Sequence, residues 1–67
     1  MKVMAYVHSL KDKKTDTNVL SEVEILEIKD NNNVIALYDG AKCRGIFNYF
    51  VGRYYIDDVY GRLNSDK

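Results

Sequence analysis

The dipeptide Asp39-Gly40 constrains the fold of this chain more than any other feature of its sequence. It separates two runs, 34–38 and 41–44, of which the first is entirely apolar. An Asp-Gly pair favours a two-residue type I′ turn, because both central positions of that turn require positive φ. The turn predicts a β-hairpin whose facing pairs are Tyr38 with Ala41, Leu37 with Lys42, Ala36 with Cys43, and Ile35 with Arg44.

This register sorts the hairpin side chains onto two faces. One face is small and apolar, and it carries Val34, Ala36, Tyr38, Ala41 and Cys43. The other face is mixed, and it carries Ile35, Leu37, Lys42 and Arg44. We expect the first face to pack in the core, and the second to be half covered or to form a binding surface.

Two longer segments before the hairpin also indicate strands. Lys2 to Leu10 alternates between two faces with the period of a strand. Residues 19–29 are rich in β-branched side chains and alternate as far as Glu27, which predicts a long strand with a bulge near Leu26. The polar residues before this segment can also cap a helix, so a helix over residues 18–29 is the alternative.

Polar and glycine-containing segments mark the connections. Residues 11–18 are polar without periodicity and predict a mobile loop, and the asparagine-rich residues 30–33 predict a turn. Gly52 divides the aromatic region that follows into 46–51 and 53–57, and residues 59–63 add a short last strand. We expect residues 64–67 to fray.

Together these elements predict a single domain over residues 1–67. Several short strands joined by tight turns indicate a mainly β fold, either a small SH3-like barrel or a strongly curved antiparallel sheet of about five strands. The alternative is an α+β fold, in which the helix over residues 18–29 packs against a sheet.

Charge and cysteine content exclude several classes of protein. Ten basic and ten acidic residues cancel, so the net charge provides no long-range attraction to nucleic acid or anionic lipid. Cys43 is the only cysteine and His8 the only histidine, which excludes an internal disulfide and a zinc cluster of about four such ligands. No apolar run reaches the roughly 20 residues of a membrane span. A lone thiol suits a reducing compartment, so we expect a cytoplasmic protein.

The residues that could support catalysis have simpler structural interpretations. Cys43 with His8 and an aspartate is the only conceivable nucleophilic set, but the hairpin register places Cys43 on the apolar face, where a packed thiol is expected. The acidic pair 57–58 could bind a metal, but turn formation and pairing with Arg53 or Arg62 account for it. We therefore predict no enzymatic activity, no metal and no cofactor.

Six of the eight aromatic residues lie between positions 47 and 60. A domain of this size needs part of this region for its core, and we expect that part to be Phe47, Phe50, Tyr54 and Ile56. The other tyrosines are candidates for a contact surface, because tyrosine and arginine are enriched in protein–protein hot spots. The predicted binding residues are Tyr49, Tyr55, Tyr60, Arg44, Arg53 and Arg62.

Such a surface indicates a non-enzymatic interaction module, which binds a protein partner or a second copy of itself as a homodimer. The alternative is a nucleic-acid-binding barrel, because small barrels can stack exposed aromatic rings on single-stranded bases while arginines follow the backbone.

The segment from Ile46 to Gly61, IFNYFVGRYYIDDVYG, resembles a pattern in short uncharacterised proteins carried by conjugative transposons and phages of Gram-positive bacteria. The resemblance extends over residues 39–63 and does not include the N-terminal half. It transfers no activity to any residue. It implies that the chain serves a mobile element, by binding a host protein, an element protein or DNA.

Overall fold

Six β-strands form most of the chain in this computed structural model, which describes residues 1–11 and 15–63. Their bounds are Lys2–Lys11 (β1), Thr15–Ile28 (β2), Asn33–Tyr38 (β3), Ala41–Asn48 (β4), Arg53–Asp57 (β5) and Arg62–Leu63 (β6). A short 3₁₀ turn over Asp30–Asn32 joins β2 to β3. Residues 18–28 lie in β2 and not in a helix, so the alternative α+β fold is wrong.

The first five strands close into a barrel. Consecutive strands from β1 to β5 pair antiparallel. β5 then returns to β1 in parallel register, from Ala5 opposite Tyr54 to His8 opposite Asp57. The short β6 pairs with β4. A mainly β chain with a closed five-stranded barrel confirms the predicted class and is consistent with a small SH3-like barrel.

The β3–β4 hairpin has the predicted turn and register. Asp39 and Gly40 have φ of 51° and 78°, both positive as a type I′ turn requires. All four predicted pairs between residues 35–38 and 41–44 are present. The apolar face points inward, and Ala36 and Cys43 are fully buried at its centre.

The long second strand contains the predicted bulge. The register between β2 and β3 shifts between Ile25 and Glu27, so Leu26 has no partner on β3. One extra residue on one strand accounts for the break in alternation that the sequence shows at this point. In the turn that follows, Asn31 and Asn32 have φ of 60° and 66°, a left-handed conformation that asparagine tolerates.

The predicted loop over residues 11–18 is too long. β1 and β2 pair as far as Lys11 opposite Thr15, so residues 15–18 belong to the hairpin. Polar composition misled the prediction, because backbone hydrogen bonds hold a hairpin together whatever the polarity of its side chains. Residues 12–14 and the tail 64–67 lie outside the described residues, so the mobility and fraying predicted there stay predictions.

Small side chains fill the barrel core. Its buried members are Ala5, Val7, Val23, Ile25, Val34, Ala36, Cys43 and Ile56. Ile56 was a predicted core residue, and Tyr54 packs against this cluster while partly exposed. Phe47 is half-buried and meets Tyr54 edge to face, with ring centroids 4.9 Å apart. The interior of a small barrel has room for few large rings, so most of the aromatic residues lie around it.

The prediction that Phe50 belongs to the core is wrong. Its side chain is 100% exposed in a turn over residues 49–52, and the strand predicted to reach Val51 ends at Asn48. Asn48 Oδ1 accepts hydrogen bonds from the N–H groups of Phe50 and Val51, at 2.9 and 3.1 Å. Gly52 completes the turn with a φ of 79° and an N–H bond to the Asn48 carbonyl. The turn therefore directs Phe50 away from the barrel.

Candidate interaction site

The outer face of the barrel carries a row of apolar side chains across four strands. The register joins Ile46 to Tyr55, Tyr55 to Tyr6, and Tyr6 to Leu20. We call these four residues the aromatic row. The Tyr6 and Tyr55 rings are tilted by 32° with centroids 5.3 Å apart, within the range of favourable aromatic pairs. Both ends of the row, Ile46 and Leu20, are exposed, so the row belongs to the surface.

A shallow groove of about 410 Å³ lies at the Ile46–Tyr55 end of the aromatic row. Arg44 and Tyr60 add a guanidinium and a second tyrosine ring to its lining. Gly45 also lines the groove and contributes only backbone, since it has no side chain. The groove therefore offers apolar surface, one cation and hydrogen-bonding groups in the same place.

The turn after β5 holds Tyr60 at the groove. The Asp57 carboxylate accepts hydrogen bonds from the N–H groups of Val59 and Tyr60, at 2.8 and 2.9 Å. The Tyr60 ring centroid lies 6.3 Å from that of His8, and His8 Nδ1 lies 3.3 Å from Asp57 Oδ1. Tyr60 is 80% exposed, so its backbone is fixed while its ring remains accessible to a partner.

These contacts also determine the ionisation of Asp57. Burial of the carboxyl group disfavours the charged form, whereas hydrogen bonds from the Val59 and Tyr60 N–H groups favour it. Together with further hydrogen bonds from His8 and Gly61, these outweigh burial and lower the pKa of Asp57. The Asp57 carboxylate is thus used in hydrogen bonds that form the turn, in agreement with the prediction that turn formation accounts for this acidic residue.

Cys43 and Asp58 form a separate cluster at the start of β4. Asp58 Oδ1 lies 2.7 Å from Arg62 Nη1, which is one of the predicted ion pairs, and 3.5 Å from Cys43 Sγ. Burial first, and then the Asp58 carboxylate, raise the pKa of the Cys43 thiol to about 11. The thiol is therefore protonated at neutral pH, as expected for a packed cysteine and not for a nucleophile. The described part of the chain contains no group of three His, Cys, Asp or Glu side chains that could hold a metal.

The structure brings together three of the six predicted binding residues and separates the rest. Arg44, Tyr55 and Tyr60 line the groove. Tyr49 is 75% exposed in the turn over residues 49–52, and Arg53 begins the strand after it. Arg62 is paired with Asp58, as described above. The residues predicted to form one face therefore lie in separate places. Three of them line the groove, and Tyr49 lies in the turn over residues 49–52, which is the tip of the β4–β5 hairpin.

The sequence prediction missed Tyr6, Ile46 and His8. Ile46 could have been found, because it lies two positions after Arg44 on β4 and therefore shares its outer face. Tyr6 and His8 could not, because only the parallel pairing of β1 with β5 places them beside Tyr55 and Asp57. That pairing joins segments about fifty positions apart, which no local pattern reveals.

Arg44 is the arginine that lines the groove. Its side chain is exposed, and it forms no salt bridge within residues 1–11 and 15–63. A second depression, of about 360 Å³, begins on its other side and is lined by Lys29 and Ile35. Arg44 and Gly45 belong to both depressions. A ligand that crosses the outer face of β4 from β3 toward β5 would therefore meet the Arg44 guanidinium between the two depressions.

The chain matches none of the protein families, curated proteins or solved structures with which it was compared. Within the described residues, no helix is long and apolar enough to cross a membrane. No relative supplies a function for the groove, so its chemistry must be inferred from its own side chains.

Proposed function

We propose that this protein is a non-enzymatic interaction module, and that its groove binds a segment of a partner protein carrying a carboxylate beside an apolar or aromatic side chain. One observation carries the proposal: Arg44, which forms no salt bridge within residues 1–11 and 15–63, lies beside Ile46, the exposed end of the aromatic row. The protonated Cys43 thiol and the hydrogen-bonded Asp57 carboxylate support a binding role over a catalytic one.

The chemistry of the partner follows from the lining of the groove. A guanidinium binds a carboxylate through charge-assisted hydrogen bonds, often with two parallel contacts. Tyr55 and Tyr60 provide broad apolar area with few rotatable bonds, so a side chain that packs on them loses little conformational entropy. An acidic residue over Arg44, with an apolar neighbour on the tyrosines, satisfies both features.

The form of the partner follows from the two depressions. They meet at Arg44 and Gly45, so together they favour an extended segment over a single small molecule. Side chains on either side of the acidic residue would then enter the two depressions.

Nucleic-acid binding is the alternative, and the charge distribution supports it less well. Binding of single strands requires a positive path along the backbone together with stacking rings. Arg53 and Arg62 do not line the groove, and the carboxylate of Asp57 does. The formal net charge of zero supplies no compensating attraction.

Location and biological setting complete the proposal. The lone buried cysteine supports a cytoplasmic location, where thiols stay reduced. The resemblance of residues 39–63 supports service to a mobile element, whose host or element proteins would supply the partner segment.

The proposal is tested with a phage-displayed library of short random peptides, selected against the intact protein. We expect enriched sequences to combine aspartate or glutamate with a neighbouring aromatic or leucine side chain. Arg44→Glu should weaken the best peptide by about tenfold to a hundredfold, since hydrogen bonds to charged groups contribute about 1.5–3 kcal/mol. Tyr60→Ser should weaken it by about tenfold.

Tyr49→Ser is the matched control, because Tyr49 is as exposed as Tyr60 but lies at the hairpin tip. It should change the affinity by less than about twofold if the groove is the site. Loss of binding with Tyr49→Ser, and none with the groove variants, would place the site at the tip instead. Salt-sensitive, saturable binding of oligothymidylate, with no peptide enriched, would favour the nucleic-acid alternative.

A further inference from the structure

The second strand has a long edge that no other described strand covers. β2 extends over Thr15–Ile28, but β3 pairs only with its last part, from Glu24 to Ile28. Along residues 15–23 the strand therefore pairs with β1 on one side and, within the described parts of the chain, with nothing on the other. An unpaired edge presents a row of N–H and C=O groups that can accept a further strand.

The hydrogen bonds of β2 show which residues present those groups. The Ile25 N–H donates to the Met1 carbonyl, on the β1 side. Backbone groups in an antiparallel strand point alternately to the two neighbours, so those of Val19 and Ser21 also point to β1. Those of Asn18, Leu20 and Glu22 then point to the open edge.

This edge lacks the usual protection against pairing. Natural edge strands are commonly blocked by proline, lysine or a bulge. Residues 18–23 contain neither proline nor lysine, and the bulge of β2 lies beyond them, between Ile25 and Glu27. Val19 and Leu20 are 49% and 41% exposed, so the edge is partly apolar as well as unpaired.

We propose that two copies of this chain pair along residues 18–22 of β2, antiparallel and related by a twofold axis at Leu20. Leu20 then faces Leu20 of the second copy, and Asn18 faces Glu22 of the second copy. The three residues that point to the open edge supply about six backbone hydrogen bonds across the axis. This interface shares Asn18 with the lining of the groove proposed above, but it forms through the backbone edge of β2 and does not depend on peptide binding in the groove.

A second copy fits the edge because the segment is self-complementary in this register. Asn18, Leu20 and Glu22 lie on the outer face, since their partners on β1 are His8, Tyr6 and Met4. Leucine therefore meets leucine at the axis, and each carboxylate meets an amide. An axis at Glu22 would place two carboxylates opposite each other, which is destabilising. With the axis at Leu20, the aromatic row continues from one copy into the other.

One pair of strands is a small interface, so the dimer should be weak. Stable interfaces bury about 1,200–2,000 Å², and a single strand pairing buries less. We expect a dissociation constant on the order of 10–100 µM. Light scattering on the 7.8 kDa chain should therefore show a mass that doubles as the protein concentration rises to about 1 mM.

Leu20→Pro tests the edge directly. The Leu20 N–H points to the open edge and not to β1, so proline should remove the dimer while the circular dichroism of the folded chain persists. Leu20→Lys is the second variant, because it places two like charges at the axis without altering the backbone. Ile28→Lys is the matched control, since Ile28 is exposed on the part of β2 that β3 pairs with. This variant should still form the dimer.

The register is tested at Asn18. Asn18→Lys places a cation opposite Glu22 of the second copy twice in each dimer, and should tighten the dimer by about two- to thirty-fold. Asn18→Glu should weaken it by a similar factor. A wild-type chain that stays monomeric at about 1 mM would overturn the proposal, as would a dimer that both Leu20 variants leave intact. A loss of dimer with Arg44→Glu would instead assign self-association to the groove.

Discussion

Gly45 is the position at which a single methyl group should most strongly destabilise the barrel. It lies on β4 opposite Val34 on one side and Ile56 on the other. A Cβ at this position would come within 2.6 Å of the Tyr55 carbonyl oxygen and 3.2 Å of the Ile56 Cα. It would also collide with the Ile56 Cδ1. The side-chain atom can rotate away, but the carbonyl belongs to the neighbouring strand and cannot.

The expected cost of Gly45→Ala follows from these contacts. Extra atoms in a packed core typically cost about 1–3 kcal/mol, and a clash with backbone belongs at the upper end of that range. We therefore expect the free energy of unfolding to fall by about 3 kcal/mol. A domain of this length has a total of roughly 3–10 kcal/mol, at about 0.05–0.15 kcal/mol per residue. The variant should lose about a third of its stability or more.

Urea denaturation followed by circular dichroism measures this loss. With a slope of about 1 kcal/mol per molar urea for a small domain, the midpoint should fall by about 3 M. In a weakly stable parent, the variant would be unfolded without urea. The protein concentration in these measurements should be well below the proposed dissociation constant of the dimer, so that association does not contribute to the measured stability.

Two other glycines provide graded controls. At Gly61 a Cβ would lie 3.0 Å from the Cβ and carbonyl oxygen of Asp57, so Gly61→Ala should cost about 1–2 kcal/mol. At Gly52 no atom lies within 4 Å, and the φ of 79° suits asparagine, so Gly52→Asn should change stability by less than about 1 kcal/mol. A midpoint for Gly45→Ala within about 0.5 M of the parent, or above that of Gly61→Ala, would refute the close β4–β5 packing.

Three further predictions concern the core, the turn after β5 and the hairpin tip. Because burial raises the pKa of Cys43 to about 11, a thiol reagent at pH 8 should label the folded chain far more slowly than the urea-unfolded chain, and equal rates would contradict the burial. The lowered pKa of Asp57 contributes stability above the unfolded-state value near 3.8, and this contribution is lost as pH falls through the folded-state pKa. Asp57→Asn should therefore be less stable than the parent at pH 7 and lose less stability on acidification, and parallel pH–stability curves would contradict this. Phe50→Ser should leave the urea midpoint within about 0.5 M, whereas Tyr54→Ala should lower it by about 2 M or more, and the reverse order would restore Phe50 to the core.

Features that depend on neighbouring residues were predicted well. The Asp39-Gly40 turn, the register it sets and the bulge near Leu26 all follow from φ preferences and from the period of two along a strand. Both are properties of a few consecutive residues, so a sequence displays them directly.

The burial of the aromatic residues was predicted less well. Hydrophobicity alone assigned Phe50 to the core, whereas Asn48 and Gly52 form a turn that exposes it. Asn48 followed four positions later by Gly52 was the available signal, and it favours a turn over a strand that continues to Val51. The preference of a ring for burial is weak where the backbone path directs it outward.

By itself the sequence determined the strands, most of their turns and the inward face of the β3–β4 hairpin. Only the tertiary structure decided that β5 lies parallel to β1, which assembles the aromatic row and joins His8 and Tyr60 to the groove. It also decided that β3 covers only one end of β2 and leaves the edge at Leu20 open. The physical reason is that closure of a barrel depends on strand lengths and on contacts between distant segments. The Asp39-Gly40 turn specifies one hairpin, whereas the groove and the open edge exist only once all five strands have closed.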